Sequence, residues 1–278
     1  MTLILTCATR EYVVQASDRR VTLTNGKILN DDQGKAIFYC ARFAVAYTGV
    51  ADIDGDTALW LARLFAKAPD IETALDSIGA ETAEYFKQKD LRIPHFVVAT
   101  GWASQYGEPR EGMPCIAASS NTYGDSMHEF STRVNFVKSG MAYVGYDFGQ
   151  ALTAEEKGRL DVAVRSGLKF KSGPGSIARA FADQIRLIAS GSDNRASNVS
   201  KTVLVQCLSR SAIATRENPA GSPFLSGIGP NQNGCVYVAD DGSLAEWKSP
   251  WIACGGSVFS GGGRTITPDR PSIFHSGA

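Results

Sequence analysis

Thr2 stands directly behind Met1, and removal of a leading methionine is favoured before so small a side chain. Removal leaves a hydroxyl and a free α-amine on one residue. The hydroxyl can attack a carbonyl while the amine takes its proton. An α-amine titrates at roughly 7.7–8.0, near ambient pH, which suits general-base work better than a lysine does. N-terminal threonine with its own amine is a recognised pairing of nucleophile and base. The run Leu3 to Ala8 behind it is apolar and β-prone, so the threonine is expected at the head of a buried strand.

Other short matches carry less. Ser166-Gly167-Leu168-Lys169 fits S-x-x-K and Ser192-Asp193-Asn194 spells S-D-N, but Lys201-Thr202 is followed by Val203, so the third element of that set fails. Asp52, Asp54 and Asp56 open like a calcium loop, yet Thr57 and Arg63 occupy the places of its glycine and glutamate. Acidic residues at a helix N-terminus explain that run better. Asn198-Val199-Ser200 is a glycosylation triplet without a secretory route, and Gly261-Gly262-Gly263-Arg264 lacks the lysine and helix of a phosphate loop.

Composition narrows the field further. The chain has 278 residues, with 28 basic against 28 acidic, 44% apolar and 20% charged. Those values fit a folded globular chain and exclude a coiled coil or a disordered one. A balanced charge removes the main argument for nucleic acid. No run reaches the roughly 18 apolar residues of a membrane span. The six cysteines form no C-x-x-C pair and the three histidines are scattered, so a zinc cluster is not expected and the thiols point to a reducing, cytoplasmic setting. No metal or organic cofactor is expected.

The elements follow from periodicity. Leu3–Ala8, Val13–Ala16, Val21–Leu23, Lys35–Tyr39 and Phe43–Tyr47 read as strands, with a turn at Asn25-Gly26. Trp60, Leu61, Leu64 and Phe65 share one helical face. Ile71, Ala74, Leu75, Ile78, Thr82, Tyr85 and Phe86 share another, across a break at Pro69-Asp70. Strands return at Phe96–Thr100, Cys115–Ala118 and Val134–Val137. Helices follow near 153–168 and 177–189, and a strand at Val203–Leu208. Strands, two helices, strands, two helices and a strand predict two stacked sheets between two helical layers, an α+β fold of αββα type. The last 69 residues hold 11 of 28 glycines and 6 of 11 prolines. The expectation is a core domain over 1–209 and an extension over 210–278, with a hairpin around Asp241-Gly242 and a weakly ordered end from Gly255.

Within this frame a resemblance appears. Thr2-Leu3-Ile4-Leu5, Val13-Val14-Gln15-Ala16-Ser17-Asp18-Arg19-Arg20-Val21-Thr22, Gly34-Lys35-Ala36-Ile37-Phe38 and Ala46-Tyr47-Thr48-Gly49 resemble the opening of a proteasome β subunit. The family is the threonine-type N-terminal nucleophile (Ntn) hydrolases, with its bacterial proteasome-like members. Asp18 lies 16 residues after Thr2, Lys35 33 after it and Gly49 14 after Lys35. One extra residue, accommodated near Asn25-Gly26, brings all four positions into the family's register.

The resemblance implies Thr2 as nucleophile, Lys35 as the cation lowering the pKa of the terminal amine, and Asp18 as the partner that orients Lys35. It also implies the Gly49 backbone N–H as oxyanion hole and Thr22 lining the substrate cleft. The chemistry of the residues agrees on one point: a buried lysine beside the nucleophile needs a carboxylate. Two departures stand out. The family's serine-containing Gly-Ser-Gly stretch corresponds to Tyr143-Val144-Gly145-Tyr146-Asp147, without serine. Its second aspartate and following serine correspond to Asp193 and Ser197, one residue too far apart.

The expected activity is peptide-bond hydrolysis through an acyl-enzyme, on peptides or unfolded proteins. The family also implies a homo-oligomer and admits an ATP-dependent unfoldase as partner. An amidase or transpeptidase on the same chemistry, and a non-catalytic structural subunit, remain the alternatives.

Overall fold

The computed structural model describes residues 2–22, 27–31, 33–39, 42–103, 112–137, 143–149, 151–169 and 173–210, and beyond them the backbone of five short strands. The first strands, β1 (Leu3–Thr9) and β2 (Tyr12–Asp18), are buried at every position. They pair antiparallel, with Ile4 opposite Ser17 and Ala8 opposite Val13. The chain reverses because the Thr9 hydroxyl accepts from the Glu11 and Tyr12 N–H groups, a side-chain turn that replaces lost ladder bonds.

Next come β3 (Val21–Thr22) and β4 (Ile28–Asn30), which form a two-stranded ribbon of their own. The expected strands at 35–39 and 43–47 are β5 (Ala36–Tyr39) and β6 (Phe43–Thr48). The helical hairpin is α1 (Thr57–Lys67) and α2 (Ile71–Gln88). Asp56 caps α1 by accepting from the Ala58 and Leu59 N–H groups, and Asp70 caps α2 through Thr73 N–H. Of the acidic run 52–56, Asp56 is the cap, and Asp54 pairs with Arg63 at 3.4 Å.

The remaining core elements are β7 (Phe96–Ala103), β8 (Met113–Ser120), β9 (Ser131–Phe136), β10 (Tyr143–Gly149), α3 (Ala154–Lys169), α4 (Gly173–Ala189) and β11 (Val203–Ser209). Helix α3 starts with a reciprocal cap: Glu156 N–H donates to the Thr153 hydroxyl and Thr153 N–H to the Glu156 carboxylate. Strands β4 and β10 had no place in the sequence reading.

From residue 234 onward, β12 (Gly234–Val238), β13 (Leu244–Trp247), β14 (Trp251–Ile252), β15 (Val258–Phe259) and β16 (Gly263–Thr265) complete two seven-stranded sheets. One runs β10-β1-β2-β11-β12-β13-β16 and is antiparallel throughout. The other runs β15-β14-β5-β6-β7-β8-β9, antiparallel except for the parallel pair β14–β5. These five strands therefore lengthen both sheets. The expected hairpin is the pair β12–β13; Asn25-Gly26 and Asp241-Gly242 lie outside the described residues. Two strands, β15 and β16, fall beyond Gly255, where weak order was expected.

Among the described residues, three apolar clusters hold these elements. Leu3, Leu5 and Cys7 of β1 pack with Phe181, Ile185 and Ile188 of α4. Tyr47, Val97 and Ala117 pack with Leu61, Phe65 and Ile78 of the α1–α2 hairpin. Ile4, Ala46, Val98, Ile116, Ala118 and Phe148 join one sheet to the other. Polar ties cross the same gap: Thr6 Oγ1 donates to Thr100 Oγ1 at 2.6 Å and Gln206 Nε2 to Ile37 O at 2.9 Å. With a covered face on either side, β1 and β6 show no polar alternation. Among the described residues no helix is long and apolar enough to cross a membrane.

Candidate active site

Thr2 sits at the head of β1, only 4% exposed. Its carbonyl oxygen accepts from the Thr48 hydroxyl at 3.2 Å, which ties the start of β1 to the end of β6. Opposite Leu3 in the ladder is Gly149, at a φ of +82°. A Cβ there would come within 2.0 Å of the Thr2 carbonyl oxygen, so only glycine lets β10 approach this closely. The register also places Gly145 opposite Cys7, well along the strand. The part of β10 that reaches Thr2 is Phe148-Gly149, and the sequence comparison of residues 143–147 with the family's serine stretch does not reach this point.

Lys35 immediately precedes β5 and is 2% exposed; its Nζ donates to the Thr2 hydroxyl and to the Arg20 carbonyl. Asp18, at the end of β2 and fully buried, has its Oδ1 4.0 Å from Lys35 Nζ. Both carboxylate oxygens also accept from the backbone, Oδ2 from Leu3 N–H at 2.7 Å and Oδ1 from Arg20 N–H at 2.9 Å. One carboxylate thus fixes the chain just after Thr2 and faces the lysine.

Burial pushes the Asp18 carboxyl up, against the pull of the Lys35 ammonium and the two N–H groups. Burial pushes the Lys35 ammonium down, Asp18 and Asp31 oppose that, and the Arg19 and Arg20 cations reinforce it. A lysine whose charge is disfavoured by burial depends on the facing Asp18 carboxylate to stay an ammonium, and only as an ammonium does it act electrostatically on a neighbouring group.

The wall behind the lysine is built by Arg20. Its guanidinium grips Asp31 with two bonds, at 2.7 and 2.9 Å, and reaches the carbonyls of Ala196 and Ser197 at 3.2 and 3.0 Å. Ser200, buried, accepts from Arg19 N–H at 3.0 Å and donates to Thr202 O.

Asp193 and Ser197 are not brought to Thr2. Asp193 is exposed and accepts from the Arg195 and Ala196 N–H groups and the Arg195 side chain; Ser197 donates to Asn194 O. Among the described residues neither makes a hydrogen bond to Thr2, Asp18 or Lys35. Their loop reaches the site through main-chain carbonyls on Arg20. Thr22 lies in β3, its backbone opposite Ile28; its side chain is outside the described residues.

Gly49 follows β6 at a φ of +109°, a conformation reserved for glycine. A Cβ would lie 2.6 Å from His95 Nδ1 and 2.8 Å from the Pro94 carbonyl oxygen. Next to it, Val50 N–H donates to His95 Nδ1 at 3.2 Å. Because Nδ1 accepts, the ring proton is assigned to Nε2. Burial pushes the imidazole down to about 3, so it is neutral at any working pH. Its Nε2 finds no partner among the described residues.

Thr48, His95, Gly149 and Ser200 were given no role at this site from the sequence. Thr48 and Gly149 act through close contacts between strands far apart in the chain, which no local pattern encodes.

No protein-family model matches the sequence, and no curated protein matches it. Among solved structures, the chain is similar to an Anbu (Gly-1) mutant from Hyphomicrobium sp. strain MC1. The two share 13% sequence identity over 75% of this chain and 82% of that one, with a TM-score of 0.48.

Proposed function

We propose that the chain is a proteasome-like threonine peptidase of Ntn-hydrolase type, with the αββα layering of that family and Thr2 exposed by removal of Met1. The observation that carries this reading is the contact of Lys35 Nζ with the Thr2 hydroxyl inside a buried pocket whose carboxylate is Asp18. A lysine and an aspartate are costly to bury as structural filler, and here both converge on the one residue able to supply a nucleophile and its own base.

In the proposed reaction, Thr2 Oγ attacks the peptide carbonyl and its proton passes to the Thr2 α-amine. The oxyanion takes the Gly49 N–H, with Thr22 holding the substrate main chain. Collapse breaks the C–N bond, and the ammonium returns its proton to the leaving amine. The resulting ester is hydrolysed by water, which the α-amine deprotonates, and Thr2 Oγ is released. Lys35 keeps the amine's pKa low through its charge, and Asp18 holds Lys35 and the Leu3 N–H in place. Asp193 and Ser197 are left outside the reacting groups, as parts of the loop that supports Arg20.

The substrates proposed are peptides and unfolded proteins in the cytoplasm, acted on by a homo-oligomer, with an ATP-dependent unfoldase as candidate partner. No cofactor enters the steps. The test is a peptide panel run with and without added amine on protein lacking Met1. Hydrolysis that requires Thr2 supports the peptidase, and transfer to the amine would point to the transpeptidase. A protein that keeps Met1 and turns over nothing would be a structural subunit.

A further inference from the structure

We propose that His95 is the positioning residue for the Gly49 N–H donor, acting as the hydrogen-bond acceptor that fixes the Gly49–Val50 peptide. The inference rests on the oxyanion-hole role proposed for Gly49. A glycine at φ +109° has no side chain to hold its own conformation, so its neighbours must. On one flank the Thr48 hydroxyl is tied to Thr2 O. On the other, Val50 N–H is tied to His95 Nδ1, which sets the plane of the Gly49–Val50 peptide and with it the backbone rotation at Gly49.

The imidazole is itself immobilised. Its backbone N–H donates to Asn121 Oδ1 at 2.9 Å, and Asn121 Nδ2 donates to the Ile93 and Met127 carbonyls, each at 2.9 Å. The ring stands edge-on to Phe86 and Phe130, at centroid distances of 5.7 and 6.1 Å. In such an apolar box a leucine side chain would fill the space with no polar atom of its own to bury. The histidine instead carries a buried Nε2 with no partner among the described residues. What it supplies in return is the acceptor at Nδ1, aimed at the backbone beside the proposed oxyanion hole.

The test uses the full-length protein with Met1 removed. His95→Leu deletes the acceptor, while His95→Asn keeps one, because its Oδ1 falls close to the place of Nδ1. Three quantities are read: kcat and KM on a fluorogenic peptide, alkylation of Thr2 by a haloacetamide, which forms no oxyanion, and amide exchange at Val50. The expected result for His95→Leu is a kcat lower by roughly 10-fold or more, short of the roughly 100- to 1,000-fold cost of removing an oxyanion donor outright. KM and the alkylation rate stay unchanged, and the Val50 amide exchanges faster. His95→Asn recovers most of kcat and of the protection.

An unchanged kcat in His95→Leu overturns the proposal, as does an equal loss in both variants or a parallel loss of alkylation. If the parent protein hydrolyses no peptide, the catalytic role of Gly49 fails and that of His95 with it. The Val50 exchange still reports separately whether His95 holds that peptide.

Discussion

A Cβ on Gly149 would stand 2.0 Å from the carbonyl oxygen of Thr2, so the edge strand β10 touches the head of β1 at a point where no side chain fits. Gly149 also takes a φ of +82°. Gly149→Ala therefore combines a backbone clash with a left-handed strain of about 1–3 kcal/mol. The expected outcome is a drop of at least about 2 kcal/mol in urea unfolding. Alkylation at Thr2 slows as well, because relief of the clash must move that residue. Wild-type stability in Gly149→Ala would show that β10 does not press on Thr2.

Asp18 and Lys35 are not equivalent partners. Both Asp18 oxygens accept backbone N–H groups, from Leu3 and Arg20. Asp18→Asn must turn an amide N–H toward one of them and leaves the Lys35 cation uncompensated. It is expected to cost about 3–5 kcal/mol, as breaking one side of a buried pair does. Lys35→Met fills the same space, and the Asp18 carboxyl, already pushed up by burial, can take a proton. It should therefore destabilise less than Asp18→Asn in urea unfolding. The double variant should recover part of the Asp18→Asn loss, since the two sites are coupled.

Activity should rank the same residues differently. Lys35→Met folds but loses the cation that contacts the Thr2 hydroxyl. Its kcat is expected to fall by about 100-fold or more, a loss comparable to that of a positioned general acid or base. Single-turnover acylation with an activated ester reads this directly. An active Lys35→Met would remove Lys35 from the mechanism.

Away from the site, Glu156 gives a pH prediction. Burial raises its carboxyl, but the bonds from Arg195, at 2.7 and 3.1 Å, and from Thr153 N–H outweigh that and leave it below its ordinary value of 4.5. A carboxyl depressed by folding contributes stability that is present above its unfolded pKa and lost as pH falls through the folded one. Glu156→Gln should thus lower stability at neutral pH by about 1–3 kcal/mol. It should also flatten the acid limb of the stability curve below pH 4.5. An unchanged acid limb in the variant would mean that the pair with Arg195 contributes nothing.

How much of this was legible in the chain depends on the range of the signal. Ile71, Ala74, Leu75 and Ile78 spelled out α2 because helical burial repeats within a few residues. Thr2, Asp18, Lys35 and Gly49 were picked out together by their register with the family that the sequence resembles, and the fold sets Lys35 against both Thr2 and Asp18. Strand β10 escaped because Gly145 and Gly149 interrupt its apolar pattern, and the interruption is what lets it lie against β1. Asp193 was carried over from the resemblance at a spacing one residue too long, and its side chain closes the local turn onto Arg195 and Ala196. His95 gave no signal, because its partner Val50 lies 45 residues away on another strand end.

The central claim is that Thr2 becomes a free N-terminal nucleophile. It is tested most directly by the intact mass of the natively purified protein, before and after exposure to a peptide electrophile that bonds to both a hydroxyl and an adjacent amine. The predicted result is a chain lighter by one methionine that gains one electrophile, mapped to Thr2 and abolished in Thr2→Ala. Quantitative retention of Met1 with no adduct would contradict it, and would leave the buried Lys35–Asp18 pair as part of a structural subunit.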